Sequence, residues 1–287
     1  MKIGMTKIGM TKRMNIYPSD QVRMLQFPAL SKDCNISHFV TTRQGGVSQG
    51  AYASFNLSEY SGDDPEAIGM NRKRLSDVIG ISEERIFVPF QIHGTEIRPI
   101  ETAFLSLSLE EQRVFLQGVD ALVTNVPGVC VAVSTADCVP LLLYAPDVKV
   151  VAAIHAGWRG TVQRITGKTV RFIVDEYGAD PCLMKAAIAP SIGPDAFEVG
   201  EEVVDAFREA GFDMQRILKR NTNTGKAHVD LWVANRLQLL VEGLSAVNVE
   251  LADICTYTHS DDFFSARRLG IKSGRILSGI FLNAIKN

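Results

Sequence analysis

A layered α/β fold with a mixed β-sheet is what this chain of 287 residues predicts, on three observations. Segments of helical and of strand periodicity alternate along the sequence, the pattern of α/β layers. Some strand segments follow one another with only a turn between them, so the sheet is not purely parallel, because parallel neighbours need a long crossover. Beyond residue 13 no Pro/Gly/Ser-rich linker, charge block or longer repeat interrupts the chain, which favours one domain over two.

The elements follow in order. Residues 2–6 (KIGMT) repeat as 7–11 with no apolar core of signal-peptide length, so residues 1–13 are expected to be a disordered upstream extension and 14–287 a single catalytic domain. Asp63-Asp64-Pro65-Glu66 offers a cap and a proline at the first helical position; Ile68, Leu75, Val78 and Ile79 then recur before Gly80 stops the helix. Strands are expected over 85–91, 128–134, 139–144 and 148–154. A helix over 161–177 places Val162, Ile165, Val170, Ile173, Val174 and Tyr177 on one side, with Gly178 after it. A strand over 183–189, helices over 201–210 and 229–242, each followed by glycine, and a strand over 249–257 complete the series.

Composition removes several classes of function. With 46% hydrophobic and 22% charged residues, the chain can bury a sizeable core and is not disordered over most of its length. Lys and Arg number 30 against 32 Asp and Glu, a net charge of −2, which argues against a nucleic-acid binder. The apolar stretch 128–156 is broken by Asp137, Pro140, Pro146, Asp147 and Lys149, so it reads as short buried strands and no membrane span is expected. Cys34, Cys130, Cys138, Cys182 and Cys255 are odd in number and contain no CxxC pair, which suggests neither a disulfide framework nor a zinc ribbon and points to the reducing cytoplasm.

The chemistry gathers around residues 134–160. Two apolar runs flank Pro146-Asp147, and if these are the two central residues of a hairpin turn, Cys138 lies directly opposite His155. Opposed residues of an antiparallel pair are close enough to share one metal ion. The register is the open point, because Pro-Asp is not a favoured two-residue hairpin turn. His93, in Gln91-Ile92-His93-Gly94, ends an expected strand and is a third candidate. Singly, each of the three also fits a structural role; together they form a His2Cys set that would leave a tetrahedral zinc one open position, and copper is the alternative.

The segments QIHG (91–94), GVDALVT (118–124), TADCVPLLL (135–143), HAGWRGT (155–161), IAPSIGP (188–194) and CTYTHSDDFFSARR (255–268) occur in an order that resembles the YfiH/YlmD family. That family is described both as purine nucleoside phosphorylases and as polyphenol oxidases with laccase-like activity. The resemblance spans the chain beyond Met14 and implies a single-domain α/β/β/α sandwich with mixed sheets, like the catalytic domain of cytotoxic necrotizing factor. It also implies that His93, Cys138 and His155 are the metal ligands. The substrates it implies are a purine nucleoside (adenosine, inosine, guanosine or methylthioadenosine) and phosphate, with deamination of adenosine as a second reaction.

Those reactions place demands on other residues. Deamination needs a carboxylate to move a proton, and Asp137 is nearest in sequence, although it is equally suited to a turn or cap. Phosphorolysis needs an anion held beside the sugar, which points to Arg43, followed by Gly45-Gly46; to Arg159, in the Gly157-Trp158-Arg159-Gly160 lead into a helix; and to Arg267, after Phe263-Phe264-Ser265. Surface salt bridges are the alternative for these arginines. Cys138 and Arg43 join Asp137 as candidate catalytic residues. Two other functions stand beside this one: a copper polyphenol oxidase, and a hydrolase acting on a peptidoglycan precursor through Cys138 as nucleophile. Only three histidines remain once His93 and His155 are assigned, too few for a trinuclear copper cluster in addition.

Overall fold

The computed structural model describes residues 14–17, 19 and 22–284, so the expected extension over 1–13 lies outside the described residues. The strands run β1 (Asn15–Ile16), β2 (Met24–Gln26), β3 (Ile36–Thr41), β4 (Ile86–Phe87), β5 (Ile97–Pro99), β6 (Ala121–Thr124), β7 (Cys130–Thr135), β8 (Val139–Ala145), β9 (Val150–Ala156), β10 (Lys185–Ile188), β11 (Glu198–Val199), β12 (Leu218–Arg220), β13 (Ala227–Val229), β14 (Val249–Leu251) and β15 (Ile276–Leu282). A first six-stranded sheet has the order β1-β2-β3-β15-β7-β4, a second the order β14-β10-β8-β9-β6-β5, and β11-β13-β12 form a small third. Both large sheets are mixed: β4 runs parallel to β7, β5 to β6 and β14 to β10, and the other neighbours are antiparallel.

The period-2 alternation of side chains turns each large sheet into two packed faces. Val131 and Val133 of β7 meet Leu142 and Tyr144 of β8 and Val151 and Ala153 of β9 in a core between the sheets. The alternate residues Val150, Ala152 and Ile154 instead pack with the helices Ile165–Tyr177, Glu201–Glu209 and Leu231–Val241. On the far side, Cys130 and Ala132 join Leu75 and Ile79 of the helix Pro65–Ile79. The result is an α/β/β/α sandwich.

Local signals placed the helix ends well. Asp64 caps Pro65–Ile79 by accepting from the Glu66 N–H, and Gly80 closes it with φ +69°. The helix expected over 161–177 is two, Trp158–Val162 and Ile165–Tyr177, because Arg164 takes φ +67° between them. The strands expected over 85–91 and 249–257 shorten to β4 and β14, their remainders forming loops. The central strand β15 carries no alternating pattern, since all seven of its residues are buried and Ser278-Gly279 interrupt it. Gly279 is needed there: a Cβ would stand 2.6 Å from the Phe39 ring.

The hairpin register departs from the expectation. Ala145 pairs with Val150, leaving the four-residue loop 146–149 with Lys149 at φ +52°, so Pro140 and not Cys138 lies opposite His155. Pro-Asp cannot form the two-residue turn that the tighter register requires, since such turns need positive φ at positions where proline is fixed near −65°.

Candidate metal centre

Three different kinds of backbone deliver the expected ligands. His155 stands near the end of β9 on the same face as Val151 and Ala153, and is 2% exposed. Cys138 lies in the corner 136–138, where the chain leaves β7 in the first sheet and enters β8 in the second; Asp137 turns that corner with φ +90°. His93 does not end a strand as expected: β4 stops at Phe87, and His93 projects from the following loop with φ +64°. Despite the altered register, the ligand atoms of His93, Cys138 and His155 all fall within 4.8 Å of one another. The two imidazole centroids are 4.8 Å apart and nearly perpendicular, at 76°.

The cluster fits a metal ion. A Cβ on Gly157 would lie 2.8 Å from His93 Cδ2 and 3.1 Å from Cys138 Sγ, so these two side chains meet over a residue that has to be glycine. Two imidazoles and a thiolate suit zinc, with a fourth vertex left for water or substrate, and the same donors also accept copper. Burial by itself disfavours charge at both inner groups. Yet His155 and His93 hold the Cys138 thiol down at about 6, and Cys138 with the Asp120 hydrogen bond raises His155 to about 9. Cys138 is therefore poised as a thiolate, the form in which sulfur binds metal.

Asp120 is the residue that sequence reasoning missed. Its buried carboxylate meets His155 Nδ1 at 2.7 Å and accepts the backbone N–H of His93 (3.0 Å) and Gly94 (2.7 Å). One side chain thereby orients the ring of one ligand and fixes the loop carrying another, leaving His155 Nε2 to face the cluster. Burial works to raise its pKa, but the His155 partner and the N–H groups of Gly94 and Ile92 bring it below the ordinary carboxylate range. The available signal was an acid opening the apolar run Ala121-Leu122-Val123, which reads as a strand boundary until the fold sets it beside β9.

Of the other expected residues, Asp137, Arg43 and Arg267 have their polar atoms largely committed. The Asp137 carboxylate accepts from Thr256 Oγ1 (2.7 Å), Ser265 Oγ (3.0 Å) and the Arg267 N–H (2.7 Å), fastening the 136–138 corner to the C-terminal loop. Arg43 donates Nε to Ala53 O and Nη1 to Ser260 O while lying 4.8 Å above the Phe264 ring. Arg159 is exposed and stacks on Trp158 at 4.3 Å, in a helix of only five residues. Arg267 Nη1 donates to Glu198 O. The remaining histidines are engaged elsewhere: His38 Nε2 accepts the Phe27 N–H at 2.8 Å, and the Nδ1 atoms of His228 and His259 meet the carbonyls of Pro194 and Cys255.

Fold and site together define an α/β/β/α protein with a His2Cys cluster at the seam between its two large sheets. The chain belongs to the YfiH/YlmD family, matching the pattern described as "multi-copper polyphenol oxidoreductase laccase" over residues 37–283. It is 52% identical over 261 residues to a purine nucleoside phosphorylase of Bacteroides thetaiotaomicron, covering 91% of this chain and 97% of that one. It is 42% identical over 246 residues to "adenosine deaminase RL5" from an unknown prokaryotic organism, covering 86% and 94%. The crystal structure of YlmD from Geobacillus stearothermophilus superposes with a TM-score of 0.85 at 32% identity, over 94% of this chain and 99% of that one. Relatives with these names make the chain an enzyme at the level of the family. Among the described residues no helix is long and apolar enough to cross a membrane.

Proposed function

We propose that this protein is a zinc-dependent purine nucleoside phosphorylase with adenosine deamination as a second activity. The observation that supports it most is the His93–Cys138–His155 cluster closing over Gly157 in a chain whose relatives carry both names. In phosphorolysis a phosphate oxygen bonds to C1′ of the sugar as the C1′–N9 bond breaks, the bond's electron pair leaves with the purine, and the proton of hydrogen phosphate ends on the base. His93, Cys138 and His155 would hold a zinc ion, which would supply Lewis acidity towards a substrate oxygen or a water. The chain's own residues do the rest. His155, oriented by Asp120, and the Cys138 thiolate would hold the centre in place, and Arg43, which follows β3, would offer charge to the anion.

The multi-copper description of the family fits the side chains less well, because His38, His228 and His259 are each bonded in other parts of the fold and make no second grouping with the cluster among the described residues. Cys138 as a hydrolase nucleophile competes with its role as a ligand. The deciding experiment is chromatography of the products from adenosine with and without phosphate, run beside metal analysis of the same sample. Adenine formed only with phosphate, together with inosine, supports the proposal. Oxygen uptake on a phenol by the zinc protein, with neither product formed, would replace it.

A further inference from the structure

Three chain segments leave the first sheet side by side near Cys138. β15 pairs Ile276 with Thr135 of β7 and Ser278 with Val40 of β3. Continuing both registers towards the start of β15 brings Arg275 next to Ala136 on one side and to Arg43 on the other. The loop 51–56 ties them together: Ala53 O accepts Arg43 Nε, Ala51 O accepts the Gly274 N–H, and Asn56 Oδ1 accepts the Arg275 N–H. Gly274 lets the chain lie flat on Phe264, the ring that also carries the Arg43 guanidinium; a Cβ there would stand 2.4 Å from the ring.

Neither guanidinium forms a salt bridge with a carboxylate among the described residues. Arg275 spends Nη1 on the carbonyls of Ser273 and Gly274 and Nη2 on Ile271 O, which leaves Nε–H without an acceptor among the described residues; Arg43 keeps Nη2 in the same condition. Burial lowers the Arg275 pKa, against the opposing charges of Cys138, Asp137 and Tyr52. Burial also lowers that of Arg43, against Asp261. Both half-buried cations are hydrogen-bonded to neutral carbonyls and keep a donor unused among the described residues, with carboxylates acting on them only from beyond salt-bridge distance.

We propose that Arg275 and Arg43 form a two-guanidinium cradle for a phosphate oxyanion beside Cys138, with Arg275 supplying the donor nearer the metal cluster. The cradle rests on the phosphorylase reading for its use, but its existence can be tested separately. It takes either free orthophosphate or the phosphate group of a nucleotide. It also moves the anion site away from the Gly157–Arg159 turn, whose helix is too short to provide a strong N-terminal dipole.

The test is calorimetric titration of the zinc-loaded full chain with orthophosphate and, separately, with adenosine monophosphate, alongside steady-state kinetics in both co-substrates. Arg275→Gln is expected to weaken orthophosphate binding and raise its KM by about tenfold or more, as loss of a charge-assisted donor does, while the KM for nucleoside moves far less. Arg275→Lys should recover part of the loss, and the exposed Arg216→Gln should bind as the parent does. Unchanged affinity for both orthophosphate and adenosine monophosphate in a folded Arg275→Gln would overturn the cradle. Should that variant fail to fold, a crystal structure of the parent with orthophosphate decides: an anion against Arg275 Nε and Arg43 Nη2 supports the cradle, and one against Arg159 alone removes it. Binding of adenosine monophosphate but not orthophosphate through Arg275 would keep the cradle and defeat the phosphorylase reading. Phosphorolysis that is indifferent to Arg275 would do the reverse.

Discussion

Asp120 and Gly157 shape the cluster without being ligands, and each predicts a separable defect. Replacing Asp120 by Asn keeps an oxygen for His155 but turns an amide N–H₂ towards backbone N–H groups that now meet a carboxylate. Loss of such a supporting partner lowers metal affinity by about 10- to 100-fold, so Asp120→Asn should release zinc to a competing chelator at correspondingly lower concentration. Zinc retention equal to the parent's would show that the His155 orientation is set elsewhere. Gly157→Ala introduces a methyl 2.8 Å from His93 Cδ2. Since Cβ atoms do not approach that closely, His93 must swing away. The expected result is substoichiometric zinc by elemental analysis with an unchanged far-ultraviolet circular dichroism spectrum.

At the scale of elements, β3 buries a histidine. His38 is 1% exposed, stacks near Phe27 and accepts that residue's N–H through Nε2, which requires the neutral ring. Burial depresses its pKa from 6.5 to about 4. As pH falls below 6.5 the unfolded chain takes up a proton that the folded chain refuses until about 4, so stability drops across that window. At about 1.4 kcal/mol per pKa unit the contribution at neutral pH is roughly 3 kcal/mol, all of it lost once pH is below both values. His38→Gln retains an acceptor for the Phe27 N–H and cannot titrate. Urea midpoints measured from pH 7 to pH 4 should therefore fall less steeply in the variant than in the parent; parallel curves would mean that His38 does not control this part of the acid response.

Over the whole molecule, the site exists only because two sheets pack face to face. His155 lies in the second sheet with Asp120 just ahead of its strand β6, Arg43 and Arg275 flank strands of the first, and Cys138 occupies the corner between them. An ion bridging such elements binds the folded chain and not the unfolded one, so it stabilises by mass action. Removing zinc with a chelator should lower the melting temperature of the parent by several degrees, while Cys138→Ser should start near the lower value and hardly respond. His93→Ala should behave alike, and both should lose metal and turnover together. An equal response of parent and Cys138→Ser to chelator would place the stabilising ion at some other location.

The sequence by itself determined the layered α/β class, the helix caps at Asp64 and Gly80, and the identities of the three ligand candidates. These depend on local periodicity, backbone preference and donor chemistry, which a short stretch of residues carries in full. The tertiary structure decided the rest. It shifted the hairpin register by a turn of four residues, placed His93 in a loop, and put Cys138 at a corner between sheets. It also set Asp120 beside His155 and Arg275 beside Arg43, placements that depend on strands distant in the chain: β6 against β9, and β15 between β3 and β7. A buried carboxylate and a half-buried guanidinium acquire their function from the groups that desolvate and face them, and those neighbours are set by strand pairing across the molecule.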